Sequence, residues 1–273
     1  MGSSDNEKGT RRDDQFYSKR ERAMGNKWTE TYLIHSNDID YKSEARLSVL
    51  LSLAQRTADA DLEQLGATRD QMIEAGMGWM LMTMDLRIGR MPKALEEIAI
   101  ETWNKGPKGA LWQRDFRIYS GGDIIAEACS IWALVDIQKR RMLRPSKFPF
   151  DVYINEEDSA GETPDKVTIP EDVPLRDAYR SVVRYSGIDA NGHLNNSRYA
   201  DLCMDTLTPD ELAGLTYAGF RITYHHEARL GDEIQVKRSE VTDGRIYVSG
   251  QAGDGTHYFD AYLLLKETER SHG

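Results

Sequence analysis

The chain has 273 residues, 40% of them hydrophobic and 29% charged, and a formal net charge of −10 at pH 7. This length allows one large domain or two of ordinary size, and the acidic balance argues against nucleic acid as the main partner, since such binding needs a basic excess. No run of about 18 apolar residues occurs, and the first 30 residues are charged rather than apolar. We therefore expect no transmembrane helix, no secretory signal and a cytoplasmic location.

The two cysteines, Cys129 and Cys203, follow neither a metal-ligand nor a disulfide spacing. They are predicted to be buried thiols in a reducing compartment, and no structural zinc is expected.

The first half is predicted to contain one helix and about five strands. Residues 1–27 are polar and predict an N-terminal tail. After Trp28, "TETYLIH" alternates as a strand does, and apolar residues then recur at helical spacing from Leu47 to Leu65, with Gly66 as the predicted C-terminal cap. Four strand-like runs follow, with a tight hairpin expected at the Gly-Gly pair: "WMLMTMDLRI", "LEEIAIETW", "GALWQRDFRIYS" and "DIIAEACSIWALVD".

The second half repeats this order after a connecting segment. Residues 148–176 hold four prolines and eight acidic residues against two basic ones, which predicts a linker. Beyond it, "AYRSVVRYSGID" is predicted as a strand, "HLNNSRYADLCMDTL" as a helix, and four further runs ending with "HYFDAYLLLKE" as strands. The pair Ile-Asp at 39–40 recurs at 188–189, an offset of 149 residues. Because each helix must bury its apolar stripe against its own sheet, we predict a duplicated α+β domain with units at 28–147 and 177–273.

The two copies differ in residue type at the segment "DANGHLNNSRY", residues 189–199 of the second copy. Asp, Asn and Gly favour turns, and a turn alone would account for much of it. The first copy has "DYKSE" at the matching place, so the turn forms without an equivalent of Asn191 or His193. This difference favours a chemical role for the second copy.

These features resemble a known family. A helix wrapped by an antiparallel sheet, present twice, is similar to the double hotdog fold, and "DANGHLNNSRY" is similar to the Asp-x-Asn-x-His-x-Asn-Asn segment of acyl-ACP thioesterases of bacteria and plant plastids. "IWALVDIQKRRMLRPS" and "MDLRIGRMPKALEEIAIETW" are also similar to strands of that family, and the similarity runs in order from about Trp28 to Lys266. The resemblance implies a tandem double hotdog, each with a long helix, in which the first unit binds the acyl chain and the second is catalytic.

The resemblance places the family's catalytic residues at Asp189, Asn191 and His193 and its acid at Glu227. The cysteine that follows this acid in the family is Ala228 here, which excludes a cysteine nucleophile at the site. Cys203 is expected to be a core residue of the helix. Asn195 and Asn196 are assigned to hydrogen bonds at the helix start.

Thioester hydrolysis needs an activated water, a place for negative charge on the carbonyl oxygen and a proton for the departing thiolate. By resemblance, Asp189 or Glu227 activates the water, Asn191 holds the carbonyl or the water, and His193 orients or shuttles a proton. A helix that begins near His193 would also offer free N–H groups to an oxyanion. The structural alternatives are that Asp189 caps the helix, Asn191 occupies a turn position and Glu227 pairs with Arg229.

Two surfaces are predicted for the substrate. Met80, Met82 and Met84 form an adaptable apolar face for an acyl chain, although alternating methionines are also typical of a core. A run of five basic residues without an acid is predicted to dock the acidic acyl carrier protein with its phosphopantetheine-linked acyl chain: Lys139, Arg140, Arg141, Arg144 and Lys147.

The predicted reaction is hydrolysis of acyl-[acyl carrier protein] with release of free fatty acid, without a cofactor or metal. The nearest alternative is an acyl-CoA thioesterase of the hotdog superfamily. A non-catalytic acyl-binding protein is a more distant one, since residues 1–27 are too short and polar for an effector module. Two hotdogs in one chain can pair with each other, so a monomer or a homodimer is expected, with no membrane partner.

Overall fold

The computed structural model describes residues 20–23 and 26–267. Most of the predicted tail lies outside these residues, but 20–23 form a strand, and the next strand begins at Lys27. The first half comprises β1 (Arg20–Ala23), β2 (Lys27–Leu33), α1 (Leu47–Gln64), α2 (Arg69–Glu74), β3 (Met77–Ile88), β4 (Glu97–Lys108), β5 (Leu111–Ser120), β6 (Asp123–Asp136) and β7 (Arg141–Met142). The second half comprises β8 (Arg176–Val182), α3 (Arg198–Met204), α4 (Pro209–Gly214), β9 (Leu215–Tyr224), β10 (Glu233–Arg238), β11 (Arg245–Gln251) and β12 (His257–Glu267).

Twelve described strands form one antiparallel sheet in the order β1-β2-β4-β5-β6-β3-β9-β12-β11-β10-β8, with β7 on β6. The order 2-4-5-6-3 of the first half is mirrored by 8-10-11-12-9 in the second, and the halves join where β3 pairs with β9. At this seam Arg221 donates to the Asp85 carboxylate at 2.7 Å. The duplicated α+β architecture predicted from the sequence is therefore present, as one continuous sheet.

The helices pack against one face of this sheet and share one apolar core. Helix α1 contacts β2, β4 and α3, and its apolar stripe includes Leu50, Leu51 and Ala54, which are buried. Its predicted end is confirmed, because Gly66 has φ +76° and its N–H bonds the carbonyl of Glu63. Core residues of both halves form a single cluster, so the seam between the copies is a packed interior.

The second helix is shorter than predicted. The expected helix at 193–207 is confined to Arg198–Met204, seven residues against eighteen in α1. Pro209 opens α4, and Thr208 exchanges hydrogen bonds with Glu211 in the manner of a capping box. The Thr-x-x-Glu pattern at 208–211 is a helix-start signal in the sequence, and it marks where the earlier helix has to end.

The segment predicted as a linker contains no helix or strand between the 3₁₀ turn that precedes it, at Pro145–Lys147, and β8. It is nevertheless fastened to the sheet face opposite the helices. Asp158 accepts two hydrogen bonds at 2.8 Å from Arg117, which hold the pKa of this carboxyl well below its usual range. Val167 N–H donates to Thr223 at 2.8 Å, on the second half. The segment is thus a packed strap across both halves rather than a flexible spacer.

Both cysteines are buried free thiols, as predicted, and burial raises the pKa of each. Of the helices in the described part of the chain, none has the length and apolar character needed to cross a membrane.

Candidate active site

The same turn occurs in both copies, before α1 and before α3. In the second copy the Asp189 carboxylate accepts the N–H groups of Asn191 at 2.8 Å and His193 at 3.4 Å. In the first copy Asp40 accepts the equivalent groups of Lys42 and Glu44. Asp189 therefore has a structural role in the turn, and Asp40 has the same role in the first copy. The copies differ in the residues held by this aspartate, which are Asn191 and His193 in the second copy and Lys42 and Glu44 in the first.

Asn191 and His193 flank the tip of this turn at Gly192, whose φ is +79°. Such a backbone conformation favours glycine, and the first copy reaches it with Ser43 at φ +62°. The Asn191 side chain is exposed and makes no hydrogen bond with any residue that the structure describes. Its amide is thus free to meet a ligand.

Glu227 faces His193 across a short backbone bridge. The segment after β9 pairs with the turn, since residues 193 and 229 form an isolated β-bridge and Leu194 N–H donates to the carbonyl of Ala228 at 2.8 Å. This brings the Glu227 Oε2 atom to 3.2 Å from His193 Nε2. Glu227 pairs with His193 and Arg140 and not with Arg229, so the structural alternative for this carboxylate does not hold.

Two buried tyrosines hold the backbone on either side of this bridge. Tyr199 is buried, and its hydroxyl accepts the N–H of Ala228 at 3.2 Å. Tyr224 donates to the carbonyl of Asn196 at 2.9 Å. Asn195 accepts hydrogen bonds from the backbone and hydroxyl of Ser197 just before α3, which is the helix-start role predicted for it.

Two arginines of the first half reach the site, which the sequence does not predict. Arg140, predicted as part of the docking run, donates to Glu227 Oε2 at 2.8 Å. Arg69, at the start of α2, donates to the carbonyl of Ala190 in the turn at 189–193, at 2.8 Å. Neither contact has a sequence signal, because each joins residues about 90 to 120 positions apart.

The predicted helix start at His193 is wrong. His193 and Leu194 lie in β-bridges, and α3 begins at Arg198. The N–H groups of a helix's first turn are therefore not in place to stabilise an oxyanion near His193. The free Asn191 amide is the neutral donor on the turn that can serve this purpose.

A narrow apolar cavity of about 10 Å³ lies between the two halves. It reaches Asn196 and Tyr224, each three residues from a candidate catalytic side chain, and extends into the first half along α1, β3, β5 and β6. Room of this size suits about one water molecule, so side chains must move before a larger apolar ligand can enter.

Only one of the three methionines predicted for the acyl groove lines this cavity. The residues of β3 that line the cavity are Leu81 and Met84. The pairing of β3 with β6 shifts register between Leu81 and Thr83, so Met82 is an extra bulged residue. The bulge interrupts the alternation that would have put Met80, Met82 and Met84 on one face.

A wider polar groove of about 580 Å³ lies between the β4–β5 hairpin and the strap, and contains no candidate catalytic residue.

The predicted docking residues are all exposed around the β6–β7 turn and the 3₁₀ turn after it. Because Arg140 lies in this group and touches Glu227, the basic run adjoins the candidate catalytic site.

Solved structures similar to this chain share its architecture. A crystal structure of an acyl-ACP thioesterase from Bacteroides thetaiotaomicron superposes with a TM-score of 0.80 at 20% identity, covering 88% of this chain and 98% of that one. The 12:0-ACP thioesterase from Umbellularia californica superposes with a TM-score of 0.73 at 15% identity, covering 89% of this chain and 98% of that one. The predicted double hotdog fold is thereby confirmed.

Sequence comparisons agree with the structural ones. The chloroplastic acyl-[acyl-carrier-protein] hydrolase FATB3 of Cuphea viscosissima is 24% identical over 219 residues, 75% of this chain and 53% of that protein, so the chain spans about half the length of this relative. Residues 25–148 match the acyl-ACP thioesterase N-terminal domain, and residues 174–256 match its C-terminal domain. Since the two matches together cover well over half of the sequence, the chain belongs to the acyl-ACP thioesterase family.

Proposed function

We propose that this protein hydrolyses the thioester of acyl-[acyl carrier protein] and releases the free fatty acid. The observation that carries the proposal is the pair formed by His193 Nε2 and Glu227 Oε2 at 3.2 Å, next to a turn that presents the unpaired Asn191 amide. Family membership supports the reaction class, and the apolar cavity that reaches both catalytic segments supports an acyl substrate.

The proposed reaction adds one water across the thioester. Glu227 takes a proton from the water, whose oxygen bonds the carbonyl carbon while Asn191 donates to the carbonyl oxygen. The carbon–sulfur bond then breaks, and the proton passes to the departing sulfur with the help of His193, giving the acid and the phosphopantetheine thiol. A cysteine nucleophile has no place in this scheme, because Ala228 follows Glu227 and Cys203 is sealed in the core.

Of the two carboxylates left open by the sequence, we assign the base to Glu227. One Asp189 oxygen accepts two N–H groups of its own turn, as Asp40 does in the first copy. Asp189 is a positioning residue in this scheme. Glu227 contacts His193 and Arg140 through a single oxygen, and it has an exposed side chain that a water can reach.

Thiol release from purified acyl-ACP tests the proposal. We expect wild-type protein to release free thiol and fatty acid, and His193→Ala to lower kcat by about 10²–10⁴-fold, the usual contribution of a positioned acid–base group. His35→Ala is the matched control, because His35 is an exposed histidine outside the site. Binding of acyl-ACP without product would contradict hydrolysis, and faster release from acyl-CoA than from acyl-ACP would contradict the substrate.

The same assay tests the basic docking surface. Arg141→Glu combined with Arg144→Glu is expected to raise KM for acyl-ACP by about tenfold or more at low salt, because like charges then face the acidic carrier. Turnover at saturation should change little, since neither side chain contacts the catalytic residues. The difference in KM should shrink at about 1 M salt, where charges are screened beyond roughly 3 Å.

Arg140 is left intact in this variant, since its reversal would place an acid against Glu227. The control is Arg176→Glu with Arg180→Glu, which makes the same charge change on β8 at the far edge of the sheet. An equal rise in KM in both double variants would show that net charge, rather than this surface, governs binding.

A further inference from the structure

A second group of chemically active side chains lies on the sheet face opposite the core, at the ends of β9 and β12. His225 Nε2 is 3.0 Å from one oxygen of Asp260, and His257 Nε2 is 3.0 Å from the other. The three ligating atoms lie within 4.8 Å of one another. The Ser249 hydroxyl of β11 is 3.1 Å from His257 Nε2. The catalytic scheme uses none of these groups.

A bulge in β12 is what assembles this group. In a regular strand, residues three apart such as 257 and 260 point to opposite faces. The pairing of β12 with β11 shifts register between Gly250 and Gln251, which leaves Tyr258 as an extra residue. His257 is thereby turned to the face that carries Asp260 and Ser249, beside His225 at the end of β9. Bulges that re-aim a side chain in this way are frequent next to functional sites.

The ligand set and its spacing suit a zinc-type cation. Two imidazole nitrogens and one carboxylate oxygen are common zinc ligands, and two ligands on a tetrahedral zinc lie about 3.3 Å apart. The observed nitrogen–oxygen distances of 3.0 Å, one to each Asp260 oxygen, are close to that value, and any longer separation among the three ligating atoms, at most 4.8 Å, would shorten on binding. The side chains are 27%, 13% and 41% exposed for His225, Asp260 and His257, so the site is lined by protein yet open to a water as a further ligand.

We propose that His225, His257 and Asp260 bind one divalent transition-metal cation, of which Zn²⁺ is the probe of choice. The ion would tie the end of β9 to the start of β12. Glu227 follows His225 by two residues, so the bound ion would also restrain the segment that carries the candidate base. The existence of the site does not depend on the proposed hydrolase activity.

Calorimetric titration of the full chain with ZnCl₂, after removal of metals with a chelator, tests this proposal. We expect one zinc per chain, a Tm that rises with zinc concentration, and visible absorption bands of four- or five-coordinate Co²⁺ when cobalt replaces zinc. His225→Ala, His257→Ala and Asp260→Asn should each weaken binding by about 100-fold or more, since even loss of a supporting outer residue costs about 10–100-fold. If Asp260→Asn does not fold, the two histidine variants decide the matter.

Two controls separate this site from other histidines. His226→Ala should bind zinc as wild type does, because its ring nitrogen contacts the backbone carbonyl of His257 rather than the cluster. His193→Ala should also bind normally, because the His193–Glu227 pair is a separate site. Absence of stoichiometric binding in wild type, or binding that survives loss of both His225 and His257, would overturn the proposal. So would binding that depends on His193.

Discussion

Replacement of Glu227 by glutamine is expected to lower kcat for acyl-ACP hydrolysis by about 10²–10⁴-fold, with a much smaller effect on KM. Glutamine keeps the shape of the side chain and can still bond His193, but it cannot take a proton from water. The geometry behind this expectation is the contact of Glu227 Oε2 with His193 at 3.2 Å, in a segment held by Tyr199 and by the bridge to the turn. Single-turnover thiol release measures the chemical step directly.

Asp189→Asn is the matched variant for Glu227→Gln. Asparagine retains an oxygen that can accept the N–H groups of Asn191 and His193, so the turn should persist with weaker hydrogen bonds. We expect kcat to stay within about tenfold of wild type. A loss in Asp189→Asn as large as that in Glu227→Gln would contradict the assignment of Glu227 as the base and would indicate that the Asp189 carboxylate acts in the reaction.

Replacement of Glu211 by alanine is expected to lower the free energy of unfolding by about 3–5 kcal/mol, the usual cost of stranding one member of a buried ion pair. Arg238 is 2% exposed, and its guanidinium donates to both Glu211 oxygens at 2.7 Å and to the carbonyl of Thr206 at 2.9 Å. Without Glu211 this charge stays buried between β10 and α4. Urea denaturation followed by circular dichroism measures the change.

Glu240→Ala is the control for Glu211→Ala, because Glu240 pairs with Arg176 where both side chains are more than half exposed. Exposed pairs contribute about 0–1 kcal/mol, so this variant should be nearly as stable as wild type. Equal losses in the two variants would show that burial of Arg238 does not set the cost.

The same pair predicts a pH dependence of stability. The hydrogen bonds from Arg238 lower the pKa of Glu211 to about 2, from an ordinary value of 4.5. A carboxyl whose pKa is lower in the folded state stabilises the fold above its unfolded pKa, so this contribution is complete above about pH 5 and is lost as the pH falls towards 2. Glu211→Ala should therefore lose less stability than wild type over that interval.

Residue pattern alone predicted the elements whose signals are local. The alternation along β4, β5 and β6, the stripe of α1 and the cap at Gly66 depend on neighbours a few residues away, and each was found close to its predicted place. The duplication was also visible, because the turns at Asp40 and Asp189 keep their spacing and their hydrogen bonds.

Features whose conformation depends on contacts between distant residues were predicted less well. The bulge at Met82 interrupts a regular alternation of methionines because the pairing with β6 shifts there. The acidic, proline-containing segment has the composition of a flexible linker, yet Arg117 and Thr223 hold it against the sheet. Neither the bulge nor the strap is encoded in a short window of sequence.

Periodicity, the repeat and the family resemblance together predict the two-copy α+β plan, the turn at 189–193, and Asn191, His193 and Glu227 as candidate site residues. The folded chain adds that Glu227 contacts His193, that Asp189 accepts hydrogen bonds within the turn, and that Arg140 of the first half contacts the Glu227 carboxylate. These contacts join distant parts of the chain. Their geometry is set by β-bridges, bulges and the packing of two halves along one seam, and such features depend on the whole fold rather than on any local pattern.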